Sequence, residues 1–278
     1  MLSRRELLAL ASTGLPGAAA TQIRAGCQTR CFGMPLKEKD RFLAALDDIA
    51  ATGYEGFETN FINLQAHFDE PAEMLESFRK RKLALIGLHG APRLHRRDLL
   101  DAELAQAVRI ASGIRALGGA YFVMSGSSLP RGPELKPWAN QVARFGRLCK
   151  DHGVTLAYHN HASELENDGE ILNGLLHETR PEDVALLLDV SYFAEAPSNL
   201  SGVLSKYASR LAGVHLRTMR GKDEAMLEGA PDLAEMAALL HRQRWSGWAI
   251  VELNVRQDLS SREMVAQCRK FMREKMKI

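Results

Sequence analysis

The chain has 278 residues, of which 46% are apolar and 25% are charged, and its formal net charge is +2. This length supports one large domain or two small ones, and the composition is ordinary for a globular protein. A net charge so close to zero argues against nucleic acid or an anionic membrane surface as a partner. No linker rich in proline, glycine and serine divides the chain, so we expect one folded domain.

The first twenty residues have the composition of an export signal. Arg4 and Arg5 lie in S-R-R-E-L-L, a short apolar stretch follows, and A-A-A at residues 18–20 offers a cleavage site of small residues. The paired arginines resemble a twin-arginine signal, which implies export to the periplasm. We therefore predict a signal over residues 1–20 and a folded domain over residues 21–278. The alternative is an amphipathic helix on a cytoplasmic protein. The apolar stretch is too short to serve as a membrane anchor.

The rest of the chain alternates between strand-like and helix-like segments. In chain order, the predicted strands are Ile23–Arg30, Phe57–Phe61, Leu83–Leu88, Tyr121–Met124, Thr155–His159, Val184–Asp189, Leu211–Leu216 and Trp248–Leu253. The helices predicted after them are Leu36–Ala51, Pro71–Lys80, Asp101–Leu117, Leu135–His152, Gly169–Thr179, Leu200–Ser209, Ala230–Gln243 and Ser260–Lys275. Helical spacing of apolar residues defines the helices, and continuous apolar runs indicate strands that are buried on both faces.

Eight strand–helix units in about 250 residues predict a single (β/α)8 barrel. The main competitor is an open, doubly wound sheet. That fold usually has fewer units and often carries a glycine-rich phosphate turn after its first strand, and the sequence has no such turn.

Four cysteines are present; Cys27 lies on the predicted first strand, and Cys31 directly follows it. Residues four apart on an extended strand are separated by roughly 13 Å, which is too far for a disulfide. We therefore interpret all four cysteines as structural thiols.

Polar side chains of the kinds that bind metals follow four consecutive predicted strands. In a (β/α)8 barrel, residues at the carboxyl ends of the strands line the active site. These residues are His159, Asp189, His215 and Glu252. Each follows an apolar run and would be costly to bury without a partner, and a shared cation satisfies all four. Two imidazoles and two carboxylates suit one divalent manganese, zinc, cobalt or iron ion better than calcium.

His161 requires separate treatment because side chains alternate along a strand. His159 and His161 therefore point the same way, with His161 one step closer to a bound substrate. His161 could instead be the metal ligand itself, or a loop histidine bonded to the backbone. Glu164 follows closely and is placed to orient His161.

Several motifs, in order, resemble the xylose-isomerase-like barrel family of sugar isomerases, epimerases and inosose-dehydratase relatives. They are G-Y-E-G-F-E at residues 53–58, Y-H-N-H-x-x-E at 158–164, Asp189 after an apolar run, G-V-H-L at 213–216, E-G at 228–229 and G-W-A-I-V-E at 247–252. The similarity begins near residue 24 and continues to the end of the chain. It implies a metal held by His159, Asp189, His215 and Glu252.

The chain also departs from this family pattern. Many epimerase relatives carry glutamate at the position of His159, where two glutamates act as bases on opposite faces of the substrate. This chain retains only Glu252 of that pair. It also has Ser191 and Tyr192 after the strand-end aspartate, and Arg217 and Thr218 where the family often has lysine and aspartate. Contacts with the substrate at these positions must therefore differ.

These observations predict a metal-dependent isomerase or epimerase that acts on a keto-sugar or cyclic polyol through an enediolate. Glu252, alone or sharing the task with His161, is the expected base, and His159 or His161 is the alternative. The expected substrate contacts are His161, Arg217 and Tyr192. Two alternatives remain open: a lyase or hydrolase of keto-glycosides or inosose at the same metal site, and a non-catalytic sugar-binding barrel. The expected partner is a small sugar or polyol, and a homo-oligomer is left open. An abasic-site endonuclease, which shares the fold, is disfavoured because it needs a three-zinc cluster and more basic charge.

Overall fold

Eight parallel strands form a closed barrel in the computed structural model, which describes residues 22–126, 129–194, 200–220, 223–225 and 231–278. The barrel strands are β1 (Ile23–Gln28), β2 (Gly56–Asn60), β3 (Ala84–Gly90), β4 (Tyr121–Ser125), β5 (Thr155–His159), β6 (Ala185–Asp189), β7 (Leu211–Leu216) and β10 (Gly247–Val251). Each barrel strand pairs with the next barrel strand along the chain, so β7 pairs with β10, and β10 closes the barrel against β1. A short antiparallel hairpin, β8 (Thr218–Arg220) and β9 (Asp223–Ala225), follows β7.

Helices connect the strands, as the alternating sequence pattern predicts. Those described are α1 (Lys39–Thr52), α2 (Ala72–Arg81), α3 (Leu100–Ala116), α4 (Leu135–Asp151), α5 (Glu166–Glu178), α6 (Leu200–Tyr207), α7 (Pro231–Arg242) and α8 (Ser261–Phe271). Local chemistry sets several of their ends. Gly53 ends α1 with φ of 86°, a left-handed conformation that favours glycine. At the start of α8, Ser260 and Glu263 form a reciprocal capping box.

The core has two parts, which the strands separate. A small apolar cluster packs separately from the rest of the core, and its members precede the strand-end residues along the barrel strands: Ile86, Val123, Ala157, Leu187, Trp248 and Ile250. A much larger apolar layer lies between the strands and the surrounding helices. All five residues of β6 are buried, as expected for a parallel strand covered on both faces. The prediction of a single (β/α)8 barrel is therefore confirmed.

The first strand is shorter than predicted, and this changes the interpretation of two cysteines. β1 ends at Gln28, and a 3-10 turn over Thr29–Phe32 folds the chain back. The sulfur atoms of Cys27 and Cys31 lie 3.5 and 4.0 Å from the same Gln28 carbonyl oxygen. The separation expected for an extended strand was therefore wrong, although both thiols are free and buried.

Two parts of the sequence interpretation fall outside the described residues: the export signal at residues 1–20 and the E-G motif at 228–229. Within the part of the chain that is described, no helix combines the length and the apolar character needed to cross a membrane.

Candidate metal centre

The four strand-end residues meet at one point at the mouth of the barrel. His159 and Asp189 are the last residues of β5 and β6, His215 precedes the last residue of β7, and Glu252 directly follows β10. One ligand atom from each residue can be chosen so that all four atoms lie within 4.8 Å of one another. Strand pairing contributes to this convergence, since Asp189 is directly opposite His215 in the β6–β7 register.

The hydrogen-bonding state of this cluster fits a cation. Four buried atoms, one on each residue, have no hydrogen-bond partner: His159 Nδ1, Asp189 Oδ2, His215 Nδ1 and Glu252 Oε2. His159 also presents Nε2 to both carboxylates, 4.0 Å from Asp189 Oδ2 and 3.9 Å from Glu252 Oε2. Unpartnered buried polar atoms are rare because each retains its desolvation cost. Two imidazoles and two carboxylates are a donor set that divalent transition metals accept, so the residues present fit such an ion.

A buried carboxylate orients one member of the cluster. Glu58, on β2, accepts a hydrogen bond at Oε2 from His215 Nε2 at 3.1 Å, and both side chains are fully buried. This bond turns Nδ1 of His215 towards Glu252, 2.9 Å from Oε2, without the alignment of a hydrogen bond. A carboxylate behind a metal-binding histidine is common because it fixes the ring and raises its basicity. Burial opposes a charge on His215, but Glu58 and Glu252 outweigh it and raise the pKa of His215 to about 10.

Asp189 is held from several sides. Its Oδ1 accepts hydrogen bonds from the backbone N–H of Ser191, at 3.0 Å, and from the Ser191 hydroxyl. Arg217 Nη2 lies 2.7 Å from Asp189 Oδ2, an ionic contact without hydrogen-bond alignment, and Arg217 Nε donates to Ser191 Oγ at 3.0 Å. Asn160 fixes the backbone by accepting from the Asp189 N–H at 2.9 Å. Burial raises the pKa of Asp189, although Arg217 opposes that effect.

His159 and Glu252, the other two residues of the cluster, favour different charge states. Burial lowers the pKa of His159 well below its usual value, and the nearby His215 adds to this effect, so the His159 imidazole is neutral. Burial alone would raise the pKa of Glu252, but His215, His159 and Arg217 together outweigh burial and hold this pKa well below the usual value. A neutral imidazole and an ionised carboxylate are the forms that bind a metal.

The cluster lies at the base of a cleft of about 730 Å³. His161, Tyr192 and Arg217, the three residues predicted to contact substrate, all line this cleft. The ring of His161 packs against that of Tyr192, with 5.6 Å between centroids, and the Arg217 guanidinium lies 4.7 Å from the centre of the Tyr192 ring. These three side chains therefore form one continuous wall.

His161 has the carboxylate neighbour that the sequence suggested. Its Nδ1 lies 3.7 Å from Oε1 of Glu164, which is fully buried. Tyr158 and Ser163 each donate a hydrogen bond to Glu164, at 3.0 and 2.7 Å, and these bonds fix the carboxylate. About a third of the His161 side chain is exposed, because the ring faces the cleft.

Sequence reasoning missed three polar residues on the opposite side of the mouth. They are Glu58 in the middle of β2, His89 near the end of β3 and Ser125 at the end of β4. The sequence contained a signal for His89, which follows the largely apolar segment A-L-I-G-L, whereas Glu58 follows only Gly56 and Phe57. The strand-end rule was applied only to the last four strands, where the motif resemblance is richest.

Comparison with known proteins identifies the family of this barrel. The model of the xylose isomerase-like TIM barrel family matches residues 46–275. The chain belongs to this family.

Three similar proteins illustrate the relationship. An inosose dehydratase of Clostridium beijerinckii is 26% identical over 163 residues, covering 51% of this chain and 55% of the relative. A solved sugar phosphate isomerase/epimerase of Parabacteroides distasonis is 14% identical, with a TM-score of 0.75, covering 90% of this chain and 98% of the other. The 3-keto-D-glucoside 4-epimerase of E. coli is 16% identical, with a TM-score of 0.67, covering 90% and 100%. The chain spans about half the length of the curated relatives it matches.

Proposed function

We propose that this protein is a metal-dependent enzyme that removes a carbon-bound proton next to the carbonyl group of a keto-sugar or an oxidised cyclic polyol. The observation that carries the proposal is the convergence of His159, Asp189, His215 and Glu252 beside a sugar-sized cleft, where each residue has one buried atom without a hydrogen-bond partner. One divalent manganese, zinc, cobalt or iron ion is the cofactor that these donors suit.

The chemistry divides between the ion and the protein. A divalent cation bound by these residues would polarise the substrate carbonyl and stabilise the charge of an enediolate. Glu252 is the proposed base, because its ionised carboxylate lines the cleft and follows directly on a rigid strand. His161 shares the proton with Glu252 from the cleft wall. Arg217 and Tyr192 bind the substrate hydroxyl groups.

Reprotonation of the enediolate at carbon gives isomerisation or epimerisation, which is the outcome proposed first. The second candidate is elimination of an oxygen from the adjacent carbon, as a lyase of inosose or keto-glycosides would perform. It is favoured by His159, an imidazole at the strand end where many epimerase relatives have the second glutamate base. The inosose dehydratases among the relatives also support it.

The decisive experiment compares metal-depleted and reconstituted protein in heavy water, with keto-sugars, inosose and keto-glycosides as probes. Elemental analysis should find close to one transition-metal ion per chain. NMR should detect deuterium entering the carbon next to the carbonyl only when metal is present. Turnover without deuterium incorporation would contradict the enediolate and favour a hydride shift. Binding of the probes without any metal-dependent conversion would favour a non-catalytic sugar-binding barrel.

We also propose that the protein is exported to the periplasm, with a mature chain that begins near Thr21. The paired arginines at positions 4 and 5 and the small residues at 18–20 support this proposal. Replacing Arg4 and Arg5 with lysine should retain the precursor in the cytoplasm. Recovery of the unaltered chain, uncleaved, from the cytoplasm of its native host would contradict export.

A further inference from the structure

A hydroxyl, an imidazole and a carboxylate are aligned across three neighbouring strands, β4, β3 and β2. The Oγ of Ser125 is hydrogen-bonded to Nε2 of His89. On the other side of the ring, His89 Nδ1 lies 3.5 Å from Glu58 Oε1. That carboxylate oxygen is buried and has no hydrogen-bond partner. His89 and Ser125 both line the cleft, so the open end of the alignment faces the same space as the candidate metal ligands.

This order of groups is the one that proteins use to make an imidazole exchange protons with a hydroxyl. The carboxylate selects the tautomer with the proton on Nδ1 and stabilises the imidazolium ion when it forms. Nε2 is then the atom that takes or returns a proton at the hydroxyl side. Distances between such groups are often long in a protein without substrate, and 3.5 Å between His89 and Glu58 is within that behaviour.

The position of His89 separates it from the proposed base, Glu252. His89 is on β3, and its ring centre lies 5.2 Å from that of His159 and 6.3 Å from that of His215. It therefore lies beside the candidate metal ligands but on a different side of the mouth. A substrate held between them presents different atoms to Glu252 and to His89.

We propose that His89 and Ser125 form a second acid–base pair that acts at the carbon β to the carbonyl. The pair protonates an oxygen that leaves this carbon, and it deprotonates an oxygen that adds to it. Glu58 is a positioning residue for this pair. The inference rests on the proposed function. It selects the elimination outcome, because the residues that help break the carbon–oxygen bond differ from those that remove the proton from carbon.

The proton and electron balance is simplest in the direction of water addition. Water hydrogen-bonded to Ser125 passes a proton to the Ser125 hydroxyl as the hydroxyl's own proton moves to His89 Nε2, and the water oxygen bonds to the β-carbon of an unsaturated ketone. The π electron pair of the carbon–carbon double bond forms a new double bond to the carbonyl carbon, and the carbonyl π pair moves to the carbonyl oxygen. When the α-carbon carries a hydroxyl group, the product is the enediolate, which is then protonated at the α-carbon. In elimination the same steps run backwards, and the His89 imidazolium protonates the leaving oxygen as the carbon–oxygen bond breaks.

The test compares leaving groups in a variant that lacks the acid. The probes are methyl and para-nitrophenyl 3-keto-glucosides, in which the glycosidic oxygen is β to the carbonyl. Methoxide needs a proton to leave, whereas para-nitrophenolate does not. In metal-loaded His89→Gln, elimination from the methyl glycoside should fall by about 10²-fold or more, the usual contribution of a general acid. Elimination from the para-nitrophenyl glycoside, and deuterium exchange in heavy water, should remain close to the wild-type rates.

Controls separate this role from folding and from the proposed function. Ser125→Ala should show the same selectivity with a smaller loss, and His177→Gln, an exposed histidine beside Glu178, should show none. Metal content and thermal unfolding of each variant report on folding. Equal losses for both glycosides, or no loss for either, would overturn the inference. Absence of deuterium exchange in the metal-loaded wild-type protein would instead contradict the proposed function itself.

Discussion

The two halves of the barrel mouth treat their polar side chains differently. The half formed by β5, β6, β7 and β10, here called the ligand half, leaves one atom on each of four buried residues without a hydrogen-bond partner. The half formed by β1 to β4, here called the paired half, joins most of its polar groups to one another. Gln28 donates to Asn60 at 3.3 Å, the Thr29 and Thr59 hydroxyls are 2.6 Å apart, and His89 is bonded to Ser125.

This difference indicates a division of labour. Buried polar atoms without hydrogen-bond partners are stable only when another group satisfies them, so the ligand half has the features of a site that could hold an ion. Paired groups are already satisfied and rigid, and they present fixed donors and acceptors to a substrate. Glu58 joins the two halves, because one of its oxygens bonds His215 and the other faces His89. The following predictions test this division, beginning with the largest expected effect.

Removing a carboxylate from the ligand half should abolish metal binding. In Asp189→Ala the cation loses a negative ligand, and Arg217, 2.7 Å from Asp189, adds an uncompensated positive charge to the site. We expect metal content to fall from near one ion per chain to near zero. His215→Ala should behave alike. Elemental analysis after dialysis measures the metal content of each variant. Asp183→Ala is the control, because Asp183 lies just before the start of β6, at the end of the strand away from Asp189. Full metal content in both ligand variants would show that the ligand half has been misassigned.

Replacing the proposed base should abolish exchange while retaining part of the metal. Glu252→Gln keeps the shape of the side chain but removes the basic oxygen, so deuterium incorporation should fall by about 10²- to 10⁴-fold even after the site is refilled with metal. NMR of the substrate in heavy water gives the rate, and metal analysis of the same sample provides the control. Unchanged exchange in a fully loaded variant would remove Glu252 from this role.

The same comparison shows what the sequence could predict. The number of strand–helix units and the buried apolar runs determine the barrel, and strands within a barrel have a fixed direction, so strand-end residues such as Asp189 and Glu252 must meet at one mouth. The convergence of four side chains therefore follows from their positions in the sequence.

The paired half was harder to predict for physical reasons. The bond from Glu58 to His215 joins residues 157 positions apart, and it depends on barrel closure and on the rotamers of both side chains. The hydrogen bond of Ser125 to His89 depends in the same way on the register of β3 and β4. Serine at a strand end has no distinctive sequence signal. The 3-10 turn after Gln28 was also not predicted, because its sequence resembles a continuation of the strand. This turn brings Cys31 back towards Cys27.

A change in the residue that joins the two halves should weaken metal binding without abolishing it. Glu58→Gln keeps an oxygen for the hydrogen bond from His215 but loses the negative charge that makes the ring a better ligand. We expect metal affinity to fall by about 10- to 100-fold, the usual effect of removing such a carboxylate. Competition with a chelator measures the affinity. Glu55→Gln, which lies just before the opposite end of β2, is the matched control and should bind metal normally. Unchanged affinity in Glu58→Gln would show that the halves act independently.

The smallest effect is expected at the cleft wall, at His161. This ring lies one step beyond His159, with 4.9 Å between the ring centres, and it contacts Tyr192 on its other side. His161 is not one of the four residues whose ligand atoms converge, so His161→Ala should retain the metal. Its proposed part in proton transfer is shared with Glu252, and we therefore expect deuterium exchange to fall only roughly tenfold, below the usual range for a sole acid or base. Measuring kcat and KM separately distinguishes the two roles assigned to this histidine, because loss of proton transfer lowers kcat whereas loss of substrate contact raises KM. Loss of metal from His161→Ala, with His177→Ala unaffected, would instead make His161 a ligand and move the candidate metal centre outwards along the cleft.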